Sequence, residues 1–146
     1  MYNLTIDQAH TFFVGEGQWL VHNACRVYRI EGSINQRLII TPDGNVRIVG
    51  DDMLFLNFGD ELRAEQFYLQ RLSQNMPGLQ FKTFLADDEL LALADNSAVP
   101  QSLGRLFPNS PQLVDVTKAS YQFGFPYSWF ETIEDYIIQG TGYILK

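Results

Sequence analysis

The chain has 146 residues, of which 46% are apolar and 18% charged, as expected for one globular domain that buries a sizeable core. No apolar run reaches the roughly 20 residues that cross a bilayer, and the N-terminus has no basic start and apolar core of a secretory signal, so any export is expected to use another route. The net charge of −7 argues against broad electrostatic binding of nucleic acid but is compatible with a local basic groove. A single cysteine, Cys25, excludes an internal disulfide, and the absence of a CxxC or His/Cys cluster indicates no metal site.

Strands are predicted first along the chain. Residues 2–22 contain three short apolar runs with "GEG" as a turn, and "RVYRIEG" alternates as a strand. "RLIITPDGNVRIVG" predicts a β-hairpin, because two β-branched runs flank a turn in which Pro42 and Gly44 suit the required backbone angles. "MLFLNFG" predicts a further apolar strand.

Helices are predicted next. Asp60 can N-cap "ELRAEQFYLQRLSQN", in which four residues share one face at helical spacing: Leu62, Gln66, Leu69 and Leu72, with Phe67 and Tyr68 widening the stripe. "LQFKTFLA" predicts a strand, and Asp87 or Asp88 can cap the helix "ELLALADN".

The last part alternates loop and strand. We predict a loop with a helical turn for residues 97–112, strands for "LVDVT" and "GTGYILK", and leave "YSWFETIEDYII" ambiguous. The fold class is therefore α+β, with mixed or antiparallel sheets and two or three helices.

Both histidines and the cysteine lie in "HTFFVGEGQWLVHNAC". An asparagine side chain can attack its own backbone carbonyl and cleave the chain, and a preceding histidine can protonate the departing amide. His22 and Asn23 have the residue types for such self-cleavage, although two polar residues after a strand explain the pair equally simply.

The whole stretch "YNLTIDQAHTFFVGEGQWLVHNAC", residues 2–25, resembles the C-terminal block of Hint (hedgehog/intein-like) domains of the pretoxin kind in bacterial polymorphic toxins. The resemblance implies that residues 1–23 are a remnant of a processing domain, in which His22 assists and Asn23 cyclises. Because the front half with the nucleophile is absent, and Met1 resembles an introduced start, we expect the remnant to be inert or slow. Residues 24–146 would then be the toxin domain.

Residues 24–146 contain no histidine. This excludes HNH nucleases, His-dependent ribonucleases, Cys-His and Ser-His-Asp hydrolases and His-ligated zinc enzymes. The remaining chemistry belongs to carboxylates, Arg, Lys, Tyr, Ser and amides. Transfer of ADP-ribose fits this inventory, because a carboxylate can stabilise the oxocarbenium-like transition state while an arginine holds the pyrophosphate and an aromatic ring stacks on nicotinamide.

"RVYRIEG" and "FETIEDYIIQGTGYIL" resemble the first, Arg-bearing strand and the last, Glu-bearing element of ADP-ribosyltransferases that use Arg and Glu. The run from "VYRIEG" to "LFLNFGDELRAEQF" also resembles effector domains of Rhs-type toxins. The chain has no clear Ser-Thr-Ser motif, and Glu131 and Glu134 are three apart rather than two. The resemblance implies an ADP-ribosyltransferase-like fold, with NAD as the substrate.

The same resemblance implies two sets of site residues. The candidate catalytic carboxylates are Glu134, Asp135 and Glu131. The candidate NAD-binding residues are Arg29, Asn57, Phe58, Gln122 and Tyr127. Structural alternatives stay open: Arg29 as a salt-bridged strand residue, the aromatic cluster "YQFGFPYSWF" as core or turn, and Ser128 with Glu131 as a capping box that turns Trp129, Ile133 and Ile137 to the core.

These resemblances imply that the domain is an effector delivered into a target cell, where it acts on a protein or RNA in the cytoplasm. No membrane partner is expected. An NAD glycohydrolase, a histidine-free ribonuclease and a toxin that inhibits by binding alone are the alternatives. The producing cell would need a cognate immunity protein that covers the active cleft, and an acidic toxin favours a partner with a basic patch.

Overall fold

The computed structural model describes residues 23–114 and 122–146. Its strands are β1 Ala24–Glu31, β2 Leu38–Ile40, β3 Val46–Ile48, β4 Leu54–Phe58, β5 Gln80–Asp87, β6 Val99–Pro100, β7 Gln112–Leu113, β8 Gln122–Phe125 and β9 Tyr143–Ile144. Its helices are α1 Glu61–Ser73, α2 Asp88–Ser97 and α3 Phe130–Tyr136, with short 3-10 turns at Gln101–Leu103 and Tyr127–Trp129. The α+β class predicted from the sequence is confirmed. The strands predicted in residues 2–22 lie outside the described residues.

Seven strands form one mixed sheet in the order β6-β7-β8-β4-β1-β5-β9, and β2 and β3 form a separate antiparallel hairpin. Among the described residues, the β6–β7 pair of the sheet is parallel and its other strand pairs are antiparallel. β1 pairs with β5 along its whole length, from Ala24–Asp87 to Glu31–Gln80. Its ladder with β4 holds two residue pairs, Val27–Phe58 and Tyr28–Asn57, so β1 and β4 diverge beyond Tyr28.

The two faces of this sheet bury two separate cores. Side chains alternate between faces along a strand, and on β1 Val27 belongs to the larger core while Tyr28 belongs to the smaller one. The larger core packs the sheet against α2, α3 and the hairpin. The smaller core packs it against α1 through Ala64 and Tyr68. Side chains on the two faces of the sheet are therefore held in place by different helices.

The predicted hairpin is confirmed, with its turn at the expected residues. Gly44 has a φ of 85°, which favours glycine, and its N–H donates to the Thr41 carbonyl. The free edge of β3 is closed by a side chain, since the Gln139 amide accepts from Val46 N at 2.6 Å and donates to Val46 O at 3.1 Å. This closure removes unpaired backbone groups from an edge that could otherwise recruit another strand.

Helix α1 begins where the sequence predicts, but it faces the sheet with other residues than expected. Asp60 caps it by accepting from Arg63 N at 3.0 Å. The face shared by the leucines does not meet the core, because Leu62 is 66% exposed and Leu69 and Leu72 are also exposed. Ala64 and Tyr68 are the buried residues of α1.

The capping box that the sequence leaves open as an alternative at Ser128 and Glu131 does not form. A 3-10 turn already includes Ser128, α3 starts at Phe130, and its N-cap residue, Trp129, makes no side-chain capping bond. Ile133 and Ile137 are buried as predicted, and Trp129 packs partly buried against the same core.

Candidate functional site

A groove lies on the face of the sheet that carries α1. The strands β1, β4 and β8 contribute its floor and α1 contributes one wall, enclosing a cavity of about 640 Å³. Three of the residues predicted from the sequence to bind NAD line it together: Arg29, Asn57 and Gln122. The register of the sheet places Asn57 and Gln122 side by side, because they are paired on β4 and β8. Arg29 alternates with Tyr28 and so leaves β1 on the face of Val27, and it reaches the cavity where β1 and β4 diverge.

Arg29 fills the gap that opens where β1 and β4 diverge. Its Nε donates to Glu31 Oε1 at 2.6 Å, and its Nη1 donates to the Phe55 carbonyl at 3.0 Å. Within residues 23–114 and 122–146, Nη2 makes no hydrogen bond to the protein. The protein thus fixes the guanidinium through Nε and Nη1 and leaves Nη2 as the nitrogen that can donate to an anion.

Glu31 and Lys82 form a buried ion pair behind Arg29. Lys82 Nζ donates to Glu31 Oε2 and to the Leu38 carbonyl, both at 2.6 Å. Burial alone would raise the pKa of Glu31, but hydrogen bonds from Lys82 and Arg29 outweigh it and hold that pKa below its usual value. Glu31 therefore stays ionised and fixes the Arg29 side chain in place.

Asn57 is a buried amide that lines the cavity. It is 6% exposed, and its Oδ1 accepts from Asp60 N at 3.1 Å. In the part of the chain that the structure describes, its Nδ2 makes no hydrogen bond. Buried polar groups are normally paired, so an unpaired amide that lines a cavity points to a ligand.

The α1 wall adds cationic and aromatic side chains that the sequence analysis did not select. Arg63, Phe67 and Arg71 line the cavity, and the guanidinium of Arg71 lies 4.8 Å from the centroid of the Phe67 ring. Phe55 lines the opposite side and is also partly exposed. Arg63, Phe67 and Arg71 are four residues apart, and this spacing could have identified them in the sequence as one face of a helix.

A second cavity of about 470 Å³ continues the groove past the C-terminal end of α1. It shares Arg29, Ile30 and Arg71 with the first cavity. Its remaining lining comes from the loop after β1 and the loop after α1: Glu31, Gly32, Ile34, Asn35, Gln74, Asn75, Met76 and Pro77.

The predicted catalytic carboxylates do not line this groove. Glu131, Glu134 and Asp135 lie on α3, which packs in the larger core on the opposite face of the sheet. Glu134 Oε2 accepts from Ile48 N at 2.8 Å and so supports the hairpin strand β3. Glu134 also lines a separate shallow cavity beside Gln139.

Glu31 is the one carboxylate among the described residues that line the two cavities of the groove, and its oxygens are already bound. The neighbouring Glu61 accepts from the Tyr28 hydroxyl at 2.8 Å and lines neither cavity. Burial and this hydrogen bond raise the pKa of Tyr28, so its phenol stays protonated.

Two predicted aromatic residues lie away from the groove. Phe58 is 2% exposed and packs against Phe123 and Phe125 in the larger core, so its ring has no free face for nicotinamide. Tyr127 is 65% exposed and contacts the edge of Phe130 beside α3. Phe55 and Phe67 are the rings that the groove presents instead.

The predicted cut point lies at the start of the sheet. His22 is outside the described residues, whereas the Asn23 carbonyl accepts from Asp88 N at 3.0 Å and β1 begins at Ala24. Burial, with the carboxylates of Asp88 and Asp87, raises the pKa of Cys25 to about 11. The thiol next to the predicted cut point is therefore protonated at neutral pH and is a poor nucleophile.

Across residues 23–114 and 122–146, no group of three His, Cys, Asp or Glu side chains could hold a metal ion. No helix in these same ranges is both long and apolar enough to cross a membrane. Comparison with protein-family models, curated proteins and solved structures finds no match.

Proposed function

We propose that the groove binds NAD and that the domain is an antibacterial toxin effector that transfers ADP-ribose from NAD to a protein or RNA of the target cell. The observation that carries the proposal is the convergence of Arg29, Asn57 and Gln122 in one cavity. Each was selected from the sequence for NAD binding, and Arg29 Nη2 and Asn57 Nδ2 donate to none of the residues that the structure describes.

The phosphate-binding part of the proposal rests on the arginines. Arg29 and Arg71 line the same cavity, so two guanidinium groups can share a pyrophosphate. The chain as a whole carries a net charge of −7, which makes this concentration of cations a local feature rather than a property of the surface.

The nicotinamide-binding part rests on amides and rings. Asn57 Nδ2 and the Gln122 amide can hydrogen-bond a carboxamide, while the partly exposed rings of Phe55 and Phe67 offer faces for stacking. Phe55 and Phe67 therefore take the role that the sequence analysis gave to Phe58.

The candidate catalytic carboxylates are separate from the residues that we propose bind NAD. Glu131, Glu134 and Asp135 stay the sequence-based candidates for stabilising the oxocarbenium-like transition state. They lie across the sheet from the groove, so replacing each by its amide is the direct test of whether one of them takes part in transfer. The toxin context, the immunity partner and the Asn23 cut point rest on the resemblances of residues 2–25 and of the strands given above.

Binding is tested by titrating NAD into the wild-type protein and into Arg71→Gln. We expect the variant to weaken NAD binding about tenfold, because a hydrogen bond to a charged group contributes about 1.5–3 kcal/mol. Arg105→Gln is the matched control, since Arg105 is exposed on a loop and lines neither cavity of the groove. Equal affinity of the wild type and Arg71→Gln for NAD contradicts the proposed groove.

Activity is tested with labelled NAD and a lysate of target cells. Label in a protein or RNA supports the transferase, and free ADP-ribose without labelled macromolecule supports the NAD glycohydrolase. NAD left intact contradicts both, and rapid RNA fragmentation beside intact NAD selects the ribonuclease.

A further inference from the structure

We propose that the second cavity, at the C-terminal end of α1, is a subsite for the purine nucleoside half of a dinucleotide. The inference rests on the proposed function and deepens it, since it assigns the two halves of NAD to two cavities. No residue of this subsite other than Arg29 was selected from the sequence.

The two cavities meet at two arginines. Arg29 and Arg71 line both, with Ile30 between them on the floor. A ligand that occupies both cavities must therefore pass these guanidinium groups at its middle. A dinucleotide has that layout, because its pyrophosphate lies between two nucleosides, whereas a mononucleotide fills one cavity and leaves the other empty.

The lining of the second cavity suits an uncharged heterocycle. Apart from the shared arginines it offers three amide side chains, Asn35, Gln74 and Asn75, and the apolar surfaces of Ile34, Met76 and Pro77. Amides can hydrogen-bond the edge of a base, and apolar side chains pack on its faces. The carboxylate present, Glu31, is already held by Lys82 and Arg29.

The walls of this cavity are tied together without a ligand. Ser33 N donates to the Pro77 carbonyl at 3.0 Å and Ser33 Oγ donates to the same oxygen at 3.2 Å, joining the loop after β1 to the loop after α1. Asn75 N donates to the Leu72 carbonyl at 3.1 Å and holds the chain at the helix end. Binding to a preformed cavity costs little conformational entropy, because the residues that line it are already ordered.

The nicotinamide half is assigned to the first cavity by elimination and by chemistry. The first cavity has the unused buried donor of Asn57, with the rings of Phe55 and Phe67. The second has no aromatic side chain among the residues that line it and presents amides and aliphatic groups. The purine therefore belongs in the second cavity.

Two substitutions test the subsite without disturbing the fold. Asn75→Gly removes an amide at a backbone φ of 58°, which glycine adopts more easily than asparagine. Ile34→Ala shortens a side chain that is 78% exposed. Leu62→Ala is the matched control, because Leu62 is also highly exposed but lines neither cavity.

The measurement compares the affinity of each variant for NAD and for nicotinamide mononucleotide, which has no purine. We expect the double variant Asn75→Gly/Ile34→Ala to bind NAD about tenfold more weakly and nicotinamide mononucleotide as the wild type does. The control should bind both as the wild type does, and all variants should unfold at similar denaturant concentrations.

Three outcomes overturn the inference. Unchanged NAD affinity in the double variant overturns the subsite while leaving the proposed function intact. An equal loss for both ligands also overturns it, because the substitutions would then act on the groove as a whole. A wild-type protein that does not bind NAD overturns the proposed function and this inference together.

Discussion

Glu31 is bound by donors from three parts of the chain. Arg29 Nε donates to its Oε1 and Lys82 Nζ to its Oε2, both at 2.6 Å, while the backbone N–H groups of Arg37 and Leu38 donate from the hairpin side. One carboxylate thus joins the floor of the groove to the start of β2. Removing one partner from a buried ion pair leaves the other charge uncompensated, which costs far more than the pair contributes.

Glu31→Gln should lower the free energy of unfolding by about 3–5 kcal/mol at neutral pH, because it leaves Lys82 buried without a counter-charge. The pH dependence follows from the lowered pKa of Glu31 in the folded state. Its stabilisation is present above the unfolded pKa, about 4.3, and is lost as the pH falls through the folded value. The wild type should therefore lose more stability between pH 5 and pH 2 than Glu31→Gln does.

Urea unfolding at several pH values measures both effects. Glu65→Gln is the matched control, because the ion pair of Glu65 with Lys146 is exposed and contributes about 0–1 kcal/mol. A loss of stability in Glu31→Gln no larger than in Glu65→Gln would contradict the role of Glu31.

At the scale of the element, α1 has three faces with different tasks. Ala64 and Tyr68 pack on the sheet. Arg63, Phe67 and Arg71 line the groove. The leucines face outward, where they are exposed. The binary pattern of apolar and polar residues therefore identifies the helix but not the side that it buries.

Leu69→Ala should change the free energy of unfolding by less than about 0.5 kcal/mol, as surface substitutions usually do. Tyr68→Ala should cost about 3–5 kcal/mol, because it removes a buried aromatic ring that stacks on Phe81 at 5.7 Å. Chemical denaturation measures both. A larger loss in Leu69→Ala than in Tyr68→Ala would show that the leucine face, and not Tyr68, packs on the sheet.

The elements of this fold were predictable where a local signal marks them. Asp60 and Gly44 act on neighbouring residues, so capping and turn chemistry located α1 and the hairpin. A capping box does not form at Ser128 although Ser128 and Glu131 have the required residue types, because a 3-10 turn includes Ser128 and the helix starts at Phe130. Which face of α1 is buried depends on the sheet beneath it, and no local signal carries that information.

At the scale of the whole molecule, the sheet divides the predicted site residues into two groups. Asn57 and Gln122 come together because they are paired on the neighbouring strands β4 and β8, and Arg29 reaches the same cavity where β1 and β4 diverge. The carboxylates of α3 come from a helix that packs on the other face. The residue types of a site were predictable from the sequence, but the face of the sheet on which each residue lies depends on strand order and on how α3 packs.

This division predicts the behaviour of Glu134→Gln. Since Glu134 lies across the sheet from the groove, the variant should bind NAD with the affinity of the wild type. Its carboxylate accepts from Ile48 N at 2.8 Å, so weakening that bond should lower the free energy of unfolding by about 1 kcal/mol. NAD titration and urea unfolding of one preparation give both numbers. Asp135→Asn is the matched control, because Asp135 is exposed on the same helix and should change neither quantity. A loss of NAD affinity in Glu134→Gln alone would place α3 at the ligand and contradict the separation of the two faces.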